Sequence, residues 1–313
     1  MNTSGRRETE HSITIPCGAE SAFRLLADVQ QWPNVFPPTI HVERVAGDDR
    51  VERIRIWALA NGEVKSWLSR RELDSERGRI EFAQEVSPTP IASMAGAWVV
   101  EAAPDGGSRI RLTHQFEATA AEHLAWIERT VDCNSRAELD ALRGRAAAIQ
   151  LGDELTFSFE DVVQAQGKAK DIFEFLADAK QWPERLPHVS RVRLDTDANG
   201  VQVLEMDTST PHGATHTTKS YRVLLPHQGI AYKQVTLPSL LSVHTGFWTV
   251  TQTDHGVAVS SRHTVSLNPD NIAMVLGEHA TIADAREHVQ EALSTNSRAT
   301  LECAKRHAEQ APG

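Results

Sequence analysis

Trp67-Leu-Ser69-Arg-Arg71 places three side chains that could act on an oxygen-rich substrate along one face of an extended strand, because successive strand residues alternate sides. Trp67 offers a flat apolar wall, Ser69 a hydroxyl and Arg71 a fixed positive charge. Ser66, Leu68, Arg70 and Glu72 point the other way. If the Trp67 face is the inner one, a guanidinium leaves bulk water, which costs several kcal/mol unless it is partnered. Arg71 therefore either pairs with a structural acid or lines a cavity that holds water or an oxygen-rich ligand.

The same alternation sorts the neighbouring strands. Ile80, Phe82 and Gln84 face inward in one, and Met94, Gly96, Trp98 and Val100 in the next. Ile110, Leu112, His114 and Phe116 face inward in the last, since Arg109, Arg111, Gln115 and Glu117 occupy its other side. These inner rows contain no Asp or Glu, so Arg71 is expected in a pocket with Trp67, Ser69, Gln84, Met94, Trp98 and His114. His114, with an ordinary pKa near 6.5, is the inner group suited to moving a proton. It has a plainer reading as a core histidine bonded to a backbone carbonyl, as Gln84 and Trp98 have structural readings of their own.

The elements that must position these residues occur twice. Phe23-Arg-Leu-Leu-Ala-Asp-Val-Gln-Gln-Trp-Pro returns 150 residues later as Phe173-Glu-Phe-Leu-Ala-Asp-Ala-Lys-Gln-Trp-Pro, and Gly96-Ala-Trp98 returns as Gly246-Phe-Trp248. A period this long is a repeated domain, with the boundary expected near residue 150: residues 1–150 and 151–313. Each copy reads as a strand, two short helical segments, six alternating runs and a long helix, roughly Ala121 to Ile149 and Ile272 to Ala308. Asn61-Gly62 is the strongest hairpin signal. The expected fold class is α+β: two tandem domains, each a curved seven-stranded antiparallel sheet wrapped around its long C-terminal helix.

In the second copy a constant offset puts Gln234, Trp248 and His263 at the positions of Gln84, Trp98 and His114, with His244 replacing Met94. The same offset sets Thr217, Lys219 and Tyr221 where Trp67, Ser69 and Arg71 stand. Tyr232 falls on that inner face as well. On this reading the second pocket holds Tyr221 and His263 as an acid/base pair but no counterpart of Arg71.

Composition narrows the function. At 313 residues, 40% hydrophobic, the chain has material for two globular cores. No run of about 18 apolar residues is present to cross a membrane, and Met1 to Ser12 lacks the apolar core of a signal peptide, so a cytoplasmic location is expected. Net charge is −10 and neither half is basic, which argues against nucleic acid. With no glycine-rich phosphate loop and three widely spaced cysteines, neither a nucleotide cofactor nor a metal is expected.

Gln31-Trp-Pro-Asn-Val-Phe-Pro-Pro-Thr-Ile-His41, Trp57-Ala-Leu-Ala-Asn-Gly62, Lys65-Ser-Trp-Leu-Ser-Arg-Arg71, Trp126-Ile-Glu-Arg129 and Asn134-Ser-Arg-Ala-Glu138 together resemble the di-domain aromatase/cyclases of bacterial type II polyketide synthases. That family is built from two helix-grip (START-like, Bet v 1-like) domains. The resemblance covers nearly the whole chain. It implies a poly-β-ketone delivered on an acyl carrier protein, alongside other subunits of the synthase. A first ring of the C7–C12 type would be closed by aldol condensation or dehydrated to an aromatic, with the matched segments leaning toward action after ketoreduction. Such steps suit the residues' own chemistry: Arg71, Ser69 and His114 are the expected catalytic groups, although single-domain relatives pair the arginine with a tyrosine that the first copy lacks, and Trp67, Gln84, Met94, Trp98, Phe36, Pro37 and Trp57 are the expected substrate contacts. A tandem helix-grip carrier that shelters hydrophobic small molecules without turnover is the alternative.

Overall fold

A first strand, β1 (Arg7–Ile15), leads into α1 (Ala19–Ala27), which buries Ala22 and Leu26 one turn apart. A single 3-10 turn follows, then α2 (Trp32–Val35), whose Pro33 sits in the first turn where a missing N–H costs nothing. Six strands come next: β2 (Thr39–Gly47), β3 (Val51–Ala60), β4 (Glu63–Asp74), β5 (Arg79–Val86), β6 (Ile91–Ala102) and β7 (Ser108–Ala118). Asn61 and Gly62 take positive φ, 50° and 85°, and so turn β3 back into β4 in two residues. The long helix α3 (Leu124–Gln150) closes the unit. The strands form one antiparallel sheet in the order β1-β7-β6-β5-β4-β3-β2, with β1 returning to pair with β7.

The computed structural model describes residues 6–150, 152–197, 199–209, 215–226 and 228–311, and the chain divides into the units Met1–Asp153 and Glu154–Gly313. The second unit repeats the plan: β8 (Thr156–Ala165), α4 (Ala169–Ala177), α5 (Trp182–Arg185), β9 (Val189–Thr196), β10 (Val201–Ser209), β11 (Thr215–Leu225), β12 (Gly229–Thr236), β13 (Leu241–Thr253) and β14 (Gly256–Leu267). Its sheet order is β8-β14-β13-β12-β11-β10-β9. The closing helix differs from expectation. Gly277, at φ 101°, ends α6 (Ile272–Leu276), and α7 (Ile282–Gln310) starts afresh behind Thr281. Among the described residues no helix is long and apolar enough to cross a membrane.

Among the described residues each unit's apolar core comes in two pieces. In the first, α1, α2 and the C-terminal half of α3 (Leu139, Leu142, Ala146) pack with Ile54, Ile80, Ile110 and Leu112 of the sheet. A second piece joins Ile127 and Val131 of α3 to Phe116 and Ala118 of β7. The helix is thus fastened to the sheet at both ends, which leaves the middle of the span free to remain hollow. The second unit divides in the same way, around Leu301 and Ala304 at one end and Ala285 and Val289 at the other.

Thr281 and Asp284 form a reciprocal cap at the start of α7: Asp284 N donates to Thr281 Oγ1 at 3.2 Å, and Thr281 N donates to Asp284 Oδ2 at 2.8 Å. Thr281→Ala is expected to cost about 1 kcal/mol and to lower the melting temperature by about 2–4 °C, measured by circular dichroism.

Candidate active site

Gly96 lets the Phe82 ring lie flat across the sheet, since a Cβ there would sit 2.6 Å from Phe82 Cζ and closer still to the Thr113 carbonyl. Phe82 meets His114 edge-on with ring centroids 5.5 Å apart. Beyond that contact lies a cavity of about 130 Å³ between sheet and helix. Trp67, Gln84, Met94 and His114 line it from the strands, with Ile56 and Ala58 of β3 and Pro88 and Pro90 of the β5–β6 connection. The α3 wall presents Trp126, Ile127, Thr130, Val131, Asn134, Ser135 and Glu138, residues three, four or seven apart on one helical face.

Two titratable groups in this enclosure are held neutral. Burial, aided by the nearby His11, lowers His114 to a pKa of about 4, and its Nδ1 has no partner. Burial raises the Glu138 carboxyl to about 8, although part of the residue's surface opens to the cavity. At neutral pH the imidazole is therefore a free base and the carboxyl a protonated acid. Gln84 Oε1 is also unpartnered, while Asn134 Nδ2 is held by the Leu59 carbonyl at 3.0 Å. Among the described residues no group of three His, Cys, Asp or Glu side chains could hold a metal ion.

Several sequence expectations are corrected. Arg71 does not line the cavity; it is 1% exposed and has the acid partner that the inner rows lacked. That acid is Glu52 on β3, directly across from it in the register. Arg71 Nη1 donates to Glu52 Oε1 at 2.7 Å and Nη2 to the Leu26 carbonyl at 2.8 Å, at the C-terminal end of α1. Arg44 closes the other side of Glu52 at 2.8 Å, and the Trp32 ring covers the guanidinium at 4.9 Å. Ser69 is spent on the Ala83 carbonyl at 3.1 Å. Trp98 and Phe36 stack on each other inside the core, ring centroids 6.0 Å apart. Pro37 is exposed in the turn before β2, and Trp57 is buried on the opposite face of β3 against His41, so neither reaches the cavity.

In the second unit the constant offset fails on one strand. Gln202 faces Arg222 in the register, as Glu52 faces Arg71, so β11 runs one residue ahead of the repeat. Because side chains alternate, that slip turns the row over. Thr218, Ser220 and Arg222 face inward, not Thr217, Lys219 and Tyr221. Lys219 and Tyr221 share the outer face, the ammonium 6.0 Å from the ring centroid. Arg222, whose Nη2 donates to the Leu176 carbonyl, is the counterpart of Arg71.

The second cavity, about 120 Å³, also receives Tyr232, Gln234, His244, Trp248, Ser261 and His263. Gly246 makes room for Tyr232, since a Cβ there would lie 2.3 Å from its hydroxyl. The Tyr232 hydroxyl reaches His263 Nδ1 at 2.9 Å and His244 Nε2 at 3.4 Å. Ser261 Oγ stands 3.0 Å from His263 Nε2 and accepts from Trp248 Nε1 at 2.7 Å.

A sheet gripping one long helix over a lined hollow, built twice in one chain, defines a tandem helix-grip protein with a cavity in each half. Two family models, each described as polyketide cyclase / dehydrase and lipid transport, match residues 6–147 and 166–286, and the chain belongs to that family. It is 48% identical over 94% of its length to 97% of the granaticin polyketide synthase bifunctional cyclase/dehydratase of Streptomyces virginiae. It is 41% identical along its whole length to 99% of the actinorhodin counterpart of Streptomyces coelicolor. The crystal structure of the di-domain ARO/CYC BexL from the BE-7585A biosynthetic pathway superposes with a TM-score of 0.89 at 51% identity, over 98% of this chain and all of that one.

Arg71→Met is expected to destabilise the first unit by about 3 kcal/mol, the lower end for a broken buried pair because Arg44 still holds Glu52. Urea denaturation of the full chain checks this by tryptophan fluorescence, to which the first unit contributes five of the seven tryptophans.

Proposed function

We propose that the chain is a cyclase/dehydratase of a type II polyketide synthase that works in the first cavity on a poly-β-ketone carried by an acyl carrier protein. Its first ring is closed, or dehydrated to an aromatic, in the C7–C12 sense and after ketoreduction. The activities named for its relatives support the reaction class. The observation that carries the reading is the pairing of a neutral imidazole with a protonated carboxyl in one apolar enclosure.

The chemistry follows from those protonation states. His114 takes a proton from a methylene between two carbonyls, and the resulting enolate carbon attacks a ketone further along the chain to form the new C–C bond. Glu138 delivers its proton to the alkoxide that this attack creates. Dehydration uses the same two groups. His114 removes the proton α to the remaining carbonyl, the β C–O bond breaks, and the hydroxyl leaves as water with the Glu138 proton. After each of the two steps the imidazolium loses its proton to water and the carboxylate regains one, which restores the neutral pair. Each proton transfer is worth about 10²–10⁴-fold in rate. A hydroxyl installed by ketoreduction is the leaving group that a protonated carboxyl suits, which supports the order of steps. Trp67, Met94 and Trp126 supply flat and polarisable walls for an unsaturated chain.

His114→Asn and Glu138→Gln are each expected to lower the yield of aromatic product by about 10²–10⁴-fold in a reconstituted synthase, with folding intact. Wild-type turnover should hold a plateau between about pH 4, below which His114 is protonated, and about pH 8, above which Glu138 ionises. Glu138→Gln should remove the alkaline limb. Unchanged product from both variants, or tight substrate retention with no turnover in the wild type, sinks the proposal and leaves the carrier reading.

A further inference from the structure

The two units differ in how their buried arginine is balanced. Arg71 faces a carboxylate; the residue opposite Arg222 is Gln202, an amide that carries no charge and donates to the Ala177 carbonyl at 3.1 Å. Arg222 is 1% exposed, with the Leu176 carbonyl as its acceptor, and its Nε and Nη1 have no partner. The Trp182 and Trp248 rings flank the guanidinium at 5.0 and 5.3 Å, which offsets only part of the lost hydration. Among the described residues that line its cavity the titratable groups are His188, His216, Tyr232, His244 and His263, none a carboxylic acid; the buried Asp161, whose charge acts on His263, is taken by Arg298 at 2.7 Å.

The hydrogen bonds of that cavity also leave a donor over. Trp248 N–H is a donor only, so the fully buried Ser261 hydroxyl accepts from it, and the same oxygen stands 3.0 Å from His263 Nε2. Burial keeps His263 neutral, with one ring N–H, and its Nδ1 lies within reach of Tyr232 Oη and of His244 Nε2. Whichever tautomers the two rings take, at least one hydrogen is left without an acceptor among these groups: the Ser261 O–H, the Tyr232 O–H or the His244 Nδ1–H. A buried cation and a spare neutral donor, with no carboxyl among the described residues lining the cavity, are complementary to an oxygen bearing negative charge. Charge spread over a flat π-system is cheaper to desolvate than a compact anion, and Trp182, Trp248 and the imidazoles give such a system its walls.

We propose that the second cavity is a receptor for an ionised oxygen on a flat unsaturated ligand, either a phenolate or an enolised 1,3-dicarbonyl, held by Arg222 with Tyr232 as the neutral donor. The site is separate from the first cavity and its readout is binding, so loss of the ring chemistry there would leave this result standing. The test titrates 4-nitrophenol, for the phenol, and acetylacetone, for the enolised dicarbonyl, against saturating full-length protein, following the absorption band of each ionised form. A bound probe is expected to ionise about 1–3 pH units below the free one. Arg222→Gln should abolish that displacement, Tyr232→Phe should reduce it, and His114→Asn should leave it unchanged. Tyr232→Phe installs the residue that the first unit carries as Phe82, so it keeps the test decisive if Arg222→Gln does not fold. Displacement of one probe alone identifies which source the cavity takes. Probes that ionise as they do in water, or a displacement that survives both Arg222→Gln and Tyr232→Phe, would overturn the proposal.

Discussion

In both units a guanidinium from the fourth strand of the sheet lies against the last carbonyls of the first helix. Arg71 donates to Leu26 and Arg222 to Leu176, residues one turn-end apart from the chain's departure toward the Trp-Pro turn. Carbonyls at a helix C-terminus lack intrahelical partners and carry the negative end of the helix dipole, so a fixed cation there satisfies both needs. The tryptophan of the repeated Gln-Trp-Pro segment covers the cation, and its indole N–H donates to a carbonyl of the same helix, from Trp32 to Leu26 at 3.2 Å and from Trp182 to Phe175 at 3.4 Å. This clamp fixes the small helices across one end of the sheet. With that end closed, the long helix can bridge a hollow instead of collapsing onto the strands.

From this shared frame the halves diverge by single substitutions with large electrostatic effect. Glu52 against Gln202 decides whether the clamp arginine is neutralised. Phe82 against Tyr232, and Met94 against His244, decide whether the ring opposite the last strand's histidine is inert or wired into a hydrogen-bonded chain. The acid lies on the helix in the first cavity, at Glu138, and no described residue on the wall of the second is a carboxylic acid. One cavity offers an acid and a base; the other offers donors to an oxygen.

Much of this was legible in the sequence because period-two alternation and the repeat are strong signals. The seven strands of each sheet, the Asn61-Gly62 turn and the inward positions of Trp67, Gln84, Met94 and His114 followed from them. Glu52 was missed although Ile54, Ile56 and Ala58 mark its face; reading β3 by the same rule would have put an acid opposite Arg71. Glu138 was missed because a helix wall needs the period of 3.6, on which Ile127, Val131, Asn134 and Glu138 fall together. The slip of β11 is harder. A repeat fixes residues at its anchor motifs, and nothing between Trp182 and Trp248 says where one residue has been gained before a strand and given back after it.

That compensated shift has a practical meaning for anyone recombining the halves. A cassette exchange of β4 for β11 by aligned position would import Tyr221 in the guanidinium's place and leave the helix carbonyls without their clamp. Grafts between such duplicated modules have to be cut at the hairpin loops and carry those loops along, since loop length, more than strand identity, dictates which row of side chains a ligand meets.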